Sequence, residues 1–145
     1  MNYTTVGIAS DHAGYELKEL LKLFLSEKGI QCVDFGTDSN ESCDYADFAH
    51  PLATAVENKE VEIGISVCGS GNGINMTVNK HVGIRAGLCW NKQISKLARA
   101  HNNANICSLP ARFITVDEAK DIVNAFLESE FEGGRHERRI KKIPC

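Results

Sequence analysis

Residues 62–76 read Glu-Ile-Gly-Ile-Ser-Val-Cys-Gly-Ser-Gly-Asn-Gly-Ile-Asn-Met. An apolar, β-rich run over Glu62–Val67 turns on glycines at 69, 71 and 73 and passes into a helix beginning near Ile74. The same alternation recurs on both sides. Tyr3–Ala9 is a strand, and Ala13–Lys28 a helix with Leu17, Leu20, Leu21, Phe24 and Leu25 on one face, closed by Gly29. Gln31–Phe35 is a short strand, and a helix lies near Ala46–Glu57. Beyond the glycine loop come a strand at Gly83–Cys89, a helix at Asn91–His101 and a strand at Asn105–Leu109. Thr115 caps the last long helix, with Asp117 and Glu118 in its first turn and Ile122, Val123, Phe126 and Leu127 facing inward.

Repeated strand–helix alternation implies right-handed crossovers and a parallel sheet covered on both faces. The expected fold is α/β: a doubly wound, Rossmann-like, five-stranded parallel sheet forming one domain over residues 1–145. Residues 131–145 are its basic, helical C-terminal tail. Ligands of such sheets bind beyond the carboxyl ends of the strands. Those ends are Ser10-Asp11-His12, Cys68 to Gly73, and Leu109 to Arg112.

Composition excludes several classes. The 145 residues are 43% hydrophobic and 24% charged with net charge −3, an ordinary globular balance and no general polyanion binder. The N-terminus lacks a basic region followed by an apolar stretch, and no apolar run is long enough to span a bilayer, so a cytoplasmic location and no membrane partner are expected. The six cysteines show no tight spacing and are read as free thiols; with no C-x-x-C and scattered histidines, no metal site is expected.

The glycine loop fails both nucleotide patterns. A dinucleotide fingerprint would place its third glycine where Ile74 stands and would follow the first strand, and a P-loop would close on Lys-Ser/Thr. What survives is a run of bare amides leading into a helix N-terminus, a cavity for negative charge or simply a tight turn. Cys68 stands at its edge. A helix N-terminus or a neighbouring cation promotes thiolates. A thiolate beside anion-stabilising donors is the arrangement that proton abstraction next to a carbonyl needs. His101-Asn102 at a helix end is an acid/base candidate. The tail places Arg135 and Arg139 on one helical face; alone it reads as solvated charge.

Taken in order, these segments resemble the type B ribose-5-phosphate isomerases, which group with the LacAB-type sugar-phosphate isomerases. The matching motifs stand at Gly7–Gly14, Asp44-Tyr45, Cys68–Gly73, Asn79–Ala86, His101–Asn105 and Glu132–Arg139. The resemblance implies aldose–ketose isomerisation of ribose 5-phosphate and ribulose 5-phosphate through a cis-enediolate, without metal or cofactor. It makes Cys68 the base, with the enediolate held by the amides of Gly69, Gly71, Asn72 and Gly73, helped by Ser70. It makes His101 the ring opener, with Asp11 on the ring oxygen or hydroxyls, and Asn102 and Tyr45 positioning the sugar. His12, Arg112, Arg135 and Arg139 gather on the phosphate.

The resemblance further implies a homodimer or dimer of dimers, with the Asp11, Cys68 and glycine-loop side facing His101 and the arginines of the partner. Some relatives use a glutamate as base where this chain has Ile74, so the chain looks like the cysteine-base subtype. Ala46 replaces the usual Pro, and Pro110 stands where Gly is common, fixing φ and removing a donor just before Arg112. Alternative readings are a galactose- or allose-6-phosphate isomerase, a non-catalytic sugar-phosphate sensor, or a nucleic-acid binder using the basic tail. The last leaves Cys68 beside three glycines unexplained, and no nucleic-acid partner is expected.

Overall fold

The computed structural model describes residues 3–145. Its strands are β1 (Thr5–Ser10), β2 (Gln31–Asp34), β3 (Ile63–Cys68), β4 (Ala86–Leu88) and β5 (Ile106–Pro110). The helices are α1 (Tyr15–Glu27), α2 (Tyr45–Glu57), α3 (Asn72–Val78), α4 (Lys92–Asn102), α5 (Val116–Glu128) and α6 (Arg135–Ile140). All strand pairings are parallel, in the order β2-β1-β3-β5-β4. No helix is long and apolar enough to cross a membrane among the described residues.

Two apolar layers sandwich the sheet. Leu17, Leu21 and Leu25 of α1 pack with Ile122, Val123 and Phe126 of α5 and with Ala98 of α4. Ala49, Leu52 and Val56 of α2 join Ile74 and Val78 of α3 on the other face. The central strands β1 and β3 have no fully polar face because helices cover both sides; Ser66 and Ser108 meet this by hydrogen bonding each other at 2.7 Å.

Three expectations need correction. The helix after the glycine loop starts at Asn72, not near Ile74, because Gly71 adopts φ 75° and takes the cap position. The fourth strand is Ala86–Leu88, not Gly83–Cys89: the Gly83 amide is held by Glu57 and the Arg85 amide by Asn105, before strand pairing begins. Leu20 is 42% exposed. The buried stripe of α1 is rotated so that Lys18 turns inward beside Leu17 and Leu21.

Lys18 is fully buried and lies 2.6 Å from Asp34, at the end of the edge strand β2. Lys22 reaches the same carboxylate at 2.7 Å. Burial works to raise the Asp34 carboxyl, but hydrogen bonds from Lys18, Lys22 and the Gly36 amide outweigh it and hold it below the usual range. Removing Asp34 leaves a buried ammonium with only Glu19, at 3.1 Å, as its anionic partner. Asp34→Ala is expected to destabilise the fold by about 2–3 kcal/mol in urea unfolding, less than a fully enclosed pair because Asp34 is partly exposed. Since the folded carboxyl titrates lower than the unfolded one, this contribution is complete above about pH 4 and is lost as pH falls further; the difference between wild type and variant should shrink there.

Candidate active site

The chain leaves β1 for β2 on one side and returns to β3 on the other, so β1 and β3 flank the point where the winding reverses. Their carboxyl ends form the crevice that such a reversal opens. The Asp11 amide donates to the Val67 carbonyl at 3.2 Å, locking the two ends together, and Asp11 Oδ1 accepts the Gly14 amide at 3.1 Å. Asp11 is buried, so this carboxylate is fixed by the entry to α1.

Two of the loop glycines are required by their surroundings. Gly71 has φ 75°, and a Cβ there would meet Leu88 Cδ1 at 2.4 Å and the Leu109 backbone at 3.1 Å. A Cβ on Gly73 would lie 2.4 Å from Cζ of Tyr45, whose ring lies over the loop. Ser70 Oγ accepts the Asn72 amide at 3.3 Å, leaving its hydroxyl proton to donate. Cys68 is 5% exposed and ends β3 among Ala9, Ala49 and Ile74. Beside the loop lies a cleft of about 300 Å³ lined by Ser70, Asn72, Leu88, Trp90, Pro110 and Phe113.

His12 and Arg112 approach the same loop. His12 Nδ1 accepts the Cys43 amide at 3.2 Å, which fixes the neutral ring with its proton on Nε2. Pro110 closes β5 opposite Cys68. The Arg112 amide donates to the Gly69 carbonyl at 3.0 Å, and its guanidinium passes so close that a Cβ on Gly69 would lie 3.2 Å from Nη1.

His101, Asn102, Arg135 and Arg139 lie elsewhere. In a parallel sheet each helix runs back against the strands, so α4 ends at their amino edge. Arg85, which precedes β4, donates from Nε to the Asn102 carbonyl at 3.0 Å, fixing that end. A six-residue strand such as β3 spans roughly 17–20 Å, which separates His101 from Cys68 within one chain. After α5 the glycines 133 and 134, both at positive φ, reverse the chain onto α4. The Glu132 amide caps this turn by donating to the Ala100 carbonyl at 3.0 Å. His136 turns inward from α6, while Arg135 and Arg139 stay exposed.

His101 and His136 stack with centroids 4.0 Å apart and planes 15° apart. Glu132 Oε2 lies 3.7 Å from His101 Nε2 and 3.6 Å from His136 Nε2. Burial and the charges of His101, Arg135 and Arg139 lower the His136 imidazole below its ordinary range, against the opposing pull of Glu132.

The expected site residues fall into two groups. Asp11, His12, Tyr45, Cys68, the glycine loop and Arg112 gather at the carboxyl edge. His101, Asn102, Arg135 and Arg139 gather at the amino edge. The Cys43 amide was not singled out from sequence, and Glu132 and His136 entered only as members of the Glu132–Arg139 motif, without a role.

The fold is a doubly wound α/β sheet with a cysteine and a glycine loop at its winding reversal. The sequence matches the Ribose/Galactose Isomerase family over residues 6–143. It is 39% identical to ribose-5-phosphate isomerase B of Escherichia coli, covering 95% of this chain and 93% of that protein. The structure superposes on ribose 5-phosphate isomerase of Thermotoga maritima with TM-score 0.96 and 48% identity, covering 99% of this chain and 98% of that one. With ribose-5-phosphate isomerase B of Mycoplasma genitalium, solved with bound ribulose-5-phosphate, the TM-score is 0.92 and identity 42%, over 96% and 93% of the two chains. The chain belongs to the ribose/galactose isomerase family.

Gly71→Ala combines a disfavoured φ with a clash on Leu88 Cδ1 and a tight approach to the Leu109 backbone, and should cost about 1–3 kcal/mol in urea unfolding. Gly73→Ala instead meets a side chain. Its penalty should fall when Tyr45 is replaced by Ala in the same chain, a non-additivity that a double-mutant cycle measures.

Proposed function

We propose that this protein interconverts ribose 5-phosphate and ribulose 5-phosphate at a site assembled from the carboxyl edge of one chain and the amino edge of another. The observation that carries this reading is the separation of the two half-sites, which leaves each incomplete alone. Trp90 and Phe113, 59% and 75% exposed beside the glycine loop, supply apolar area for such a contact.

In this reading His101 of the partner subunit moves the proton that opens the furanose ring, while Asp11 holds the ring oxygen or hydroxyl. Cys68, as thiolate, then removes the proton from C2 of the open aldose. The electron pair forms the C1–C2 double bond as the carbonyl oxygen at C1 becomes an enediolate oxygen. That charge is held by the Gly69–Gly73 amides and the Ser70 hydroxyl, donors fixed before the reaction starts. The hydroxyl proton on O2 passes to the adjacent O1. Return of the proton from sulfur to C1, as the O2 electron pair forms the C2 carbonyl, gives the ketose with a hydroxyl on C1 and restores the thiolate. One base serves both carbons because a cis-enediolate presents them on one face. His12 donates from Nε2 to the phosphate, which the Arg112 guanidinium and those of Arg135 of the partner subunit and Arg139 of the partner subunit also grip, and this non-reacting group orients C1 and C2. Tyr45 and Asn102 of the partner subunit border the sugar. The family resemblance to ribose-5-phosphate isomerases favours a five-carbon substrate; turnover only on six-carbon sugar phosphates would refute that choice.

Cys68→Ala should fold normally and lose nearly all turnover. His101→Ala should be impaired on cyclic substrate. Mixing the two variants and allowing subunits to exchange should restore activity to about a quarter of wild type, because half the dimers carry one intact site of two. If each site lay within one chain, mixing would restore nothing. Arg135→Ala and Arg139→Ala should raise KM more than they lower kcat, since they hold a group that does not react.

A further inference from the structure

The corner where α4, the glycine turn and α6 meet carries more than a ring-opening histidine. One ring nitrogen each of His101 and His136 and one carboxylate oxygen of Glu132 all lie within 4.8 Å of one another. His136 is 8% exposed, and its Nε2 is buried without a hydrogen-bond partner. A buried ring nitrogen left unpaired is costly and marks a position where a partner is missing. The carboxylate oxygen stands 3.7 and 3.6 Å from the two ring nitrogens. Around a tetrahedral zinc ion with bonds of about 2.0–2.1 Å, ligand atoms are separated by about 3.3 Å. The two oxygen–nitrogen edges need to close by only a few tenths of an ångström, and His101, whose side chain is 35% exposed, must turn out of its stack with His136 so that both in-plane lone pairs meet one ion. Arg135 and Arg139 are exposed, and His136 turns inward.

We propose that His101, Glu132 and His136 form an inhibitory site for a divalent ion of the Zn²⁺ class. Two imidazoles and one carboxylate select Zn²⁺, Cu²⁺ or Ni²⁺ over Mg²⁺ and Ca²⁺, whose preferred ligands are all oxygen. Three protein ligands leave one position open for water. The ion takes no part in isomerisation. It captures the His101 lone pair, so that the ring can no longer accept or return a proton. The site itself depends only on the geometry of one chain; the inhibition rests on the ring-opening role proposed above.

Calorimetric titration of the purified protein with ZnCl₂, with CoCl₂ as a visible-absorption probe and MgCl₂ as control, tests the site without any turnover. The expected result is one strongly bound zinc ion per chain, weakened at least about tenfold by Glu132→Gln and by His136→Ala. It should be unchanged by His50→Ala, which removes the surface ring 2.8 Å from His81 Nε2, the other histidine pair able to capture zinc. Zinc binding that is insensitive to Glu132 and His136 substitution, or no tighter than magnesium, overturns the site. Turnover of ribose 5-phosphate should fall with zinc, recover on adding a chelator, and resist zinc in Glu132→Gln. If zinc occupies these ligands while wild-type turnover is unaffected, the site stands and both the inhibition and the role of His101 are refuted.

Discussion

When every strand of a sheet points the same way, each connecting helix must travel back against it. Strand ends and helix ends then lie on opposite edges, and no loop rearrangement brings them together. This constraint governs the whole molecule. It puts Asp11, Cys68 and Arg112 on one edge and His101 with the α6 arginines on the other, a strand's length away. Chemistry that needs both sets needs a second chain.

Within each edge, close packing sets the geometry. At the carboxyl edge the backbone of Asp11 is tied to Val67 and that of Arg112 to Gly69, so three strand ends move as one unit. Gly71 and Gly73 let Leu88, Leu109 and Tyr45 press onto the loop. At the amino edge two positive-φ glycines fold α6 back onto α4, and His136 is buried against His101. The arginines face solvent because their helical neighbours face in.

Much of this was legible from residue patterns. The strand–helix rhythm fixed five strands and the winding, and the strand-end rule located Asp11, Cys68 and Arg112. Periodicity misplaced Leu20 because Lys18, an ammonium that pattern rules assign to solvent, is drawn inward by Asp34, sixteen residues away in β2. The short β4 was hidden for a similar reason: side chains of Glu57 and Asn105, distant in sequence, hold the amides that pairing would have used. Pro110 looked disruptive yet sits at a strand end, where its missing donor is harmless. Glu132 and His136 stood in the Glu132–Arg139 motif without a role of their own, because their contact with α4 follows from the glycine turn and not from local sequence.

The central claim is that one sugar phosphate is held between Cys68 of one subunit and His101 of the partner subunit. A crystal structure with bound ribose 5-phosphate measures this directly. C1 and C2 should lie about 3–3.5 Å from Cys68 Sγ, with the partner's His101 at the ring oxygen and the phosphate among the arginines. A sugar bound wholly within one chain, or with Cys68 sealed away from its carbons, would contradict it.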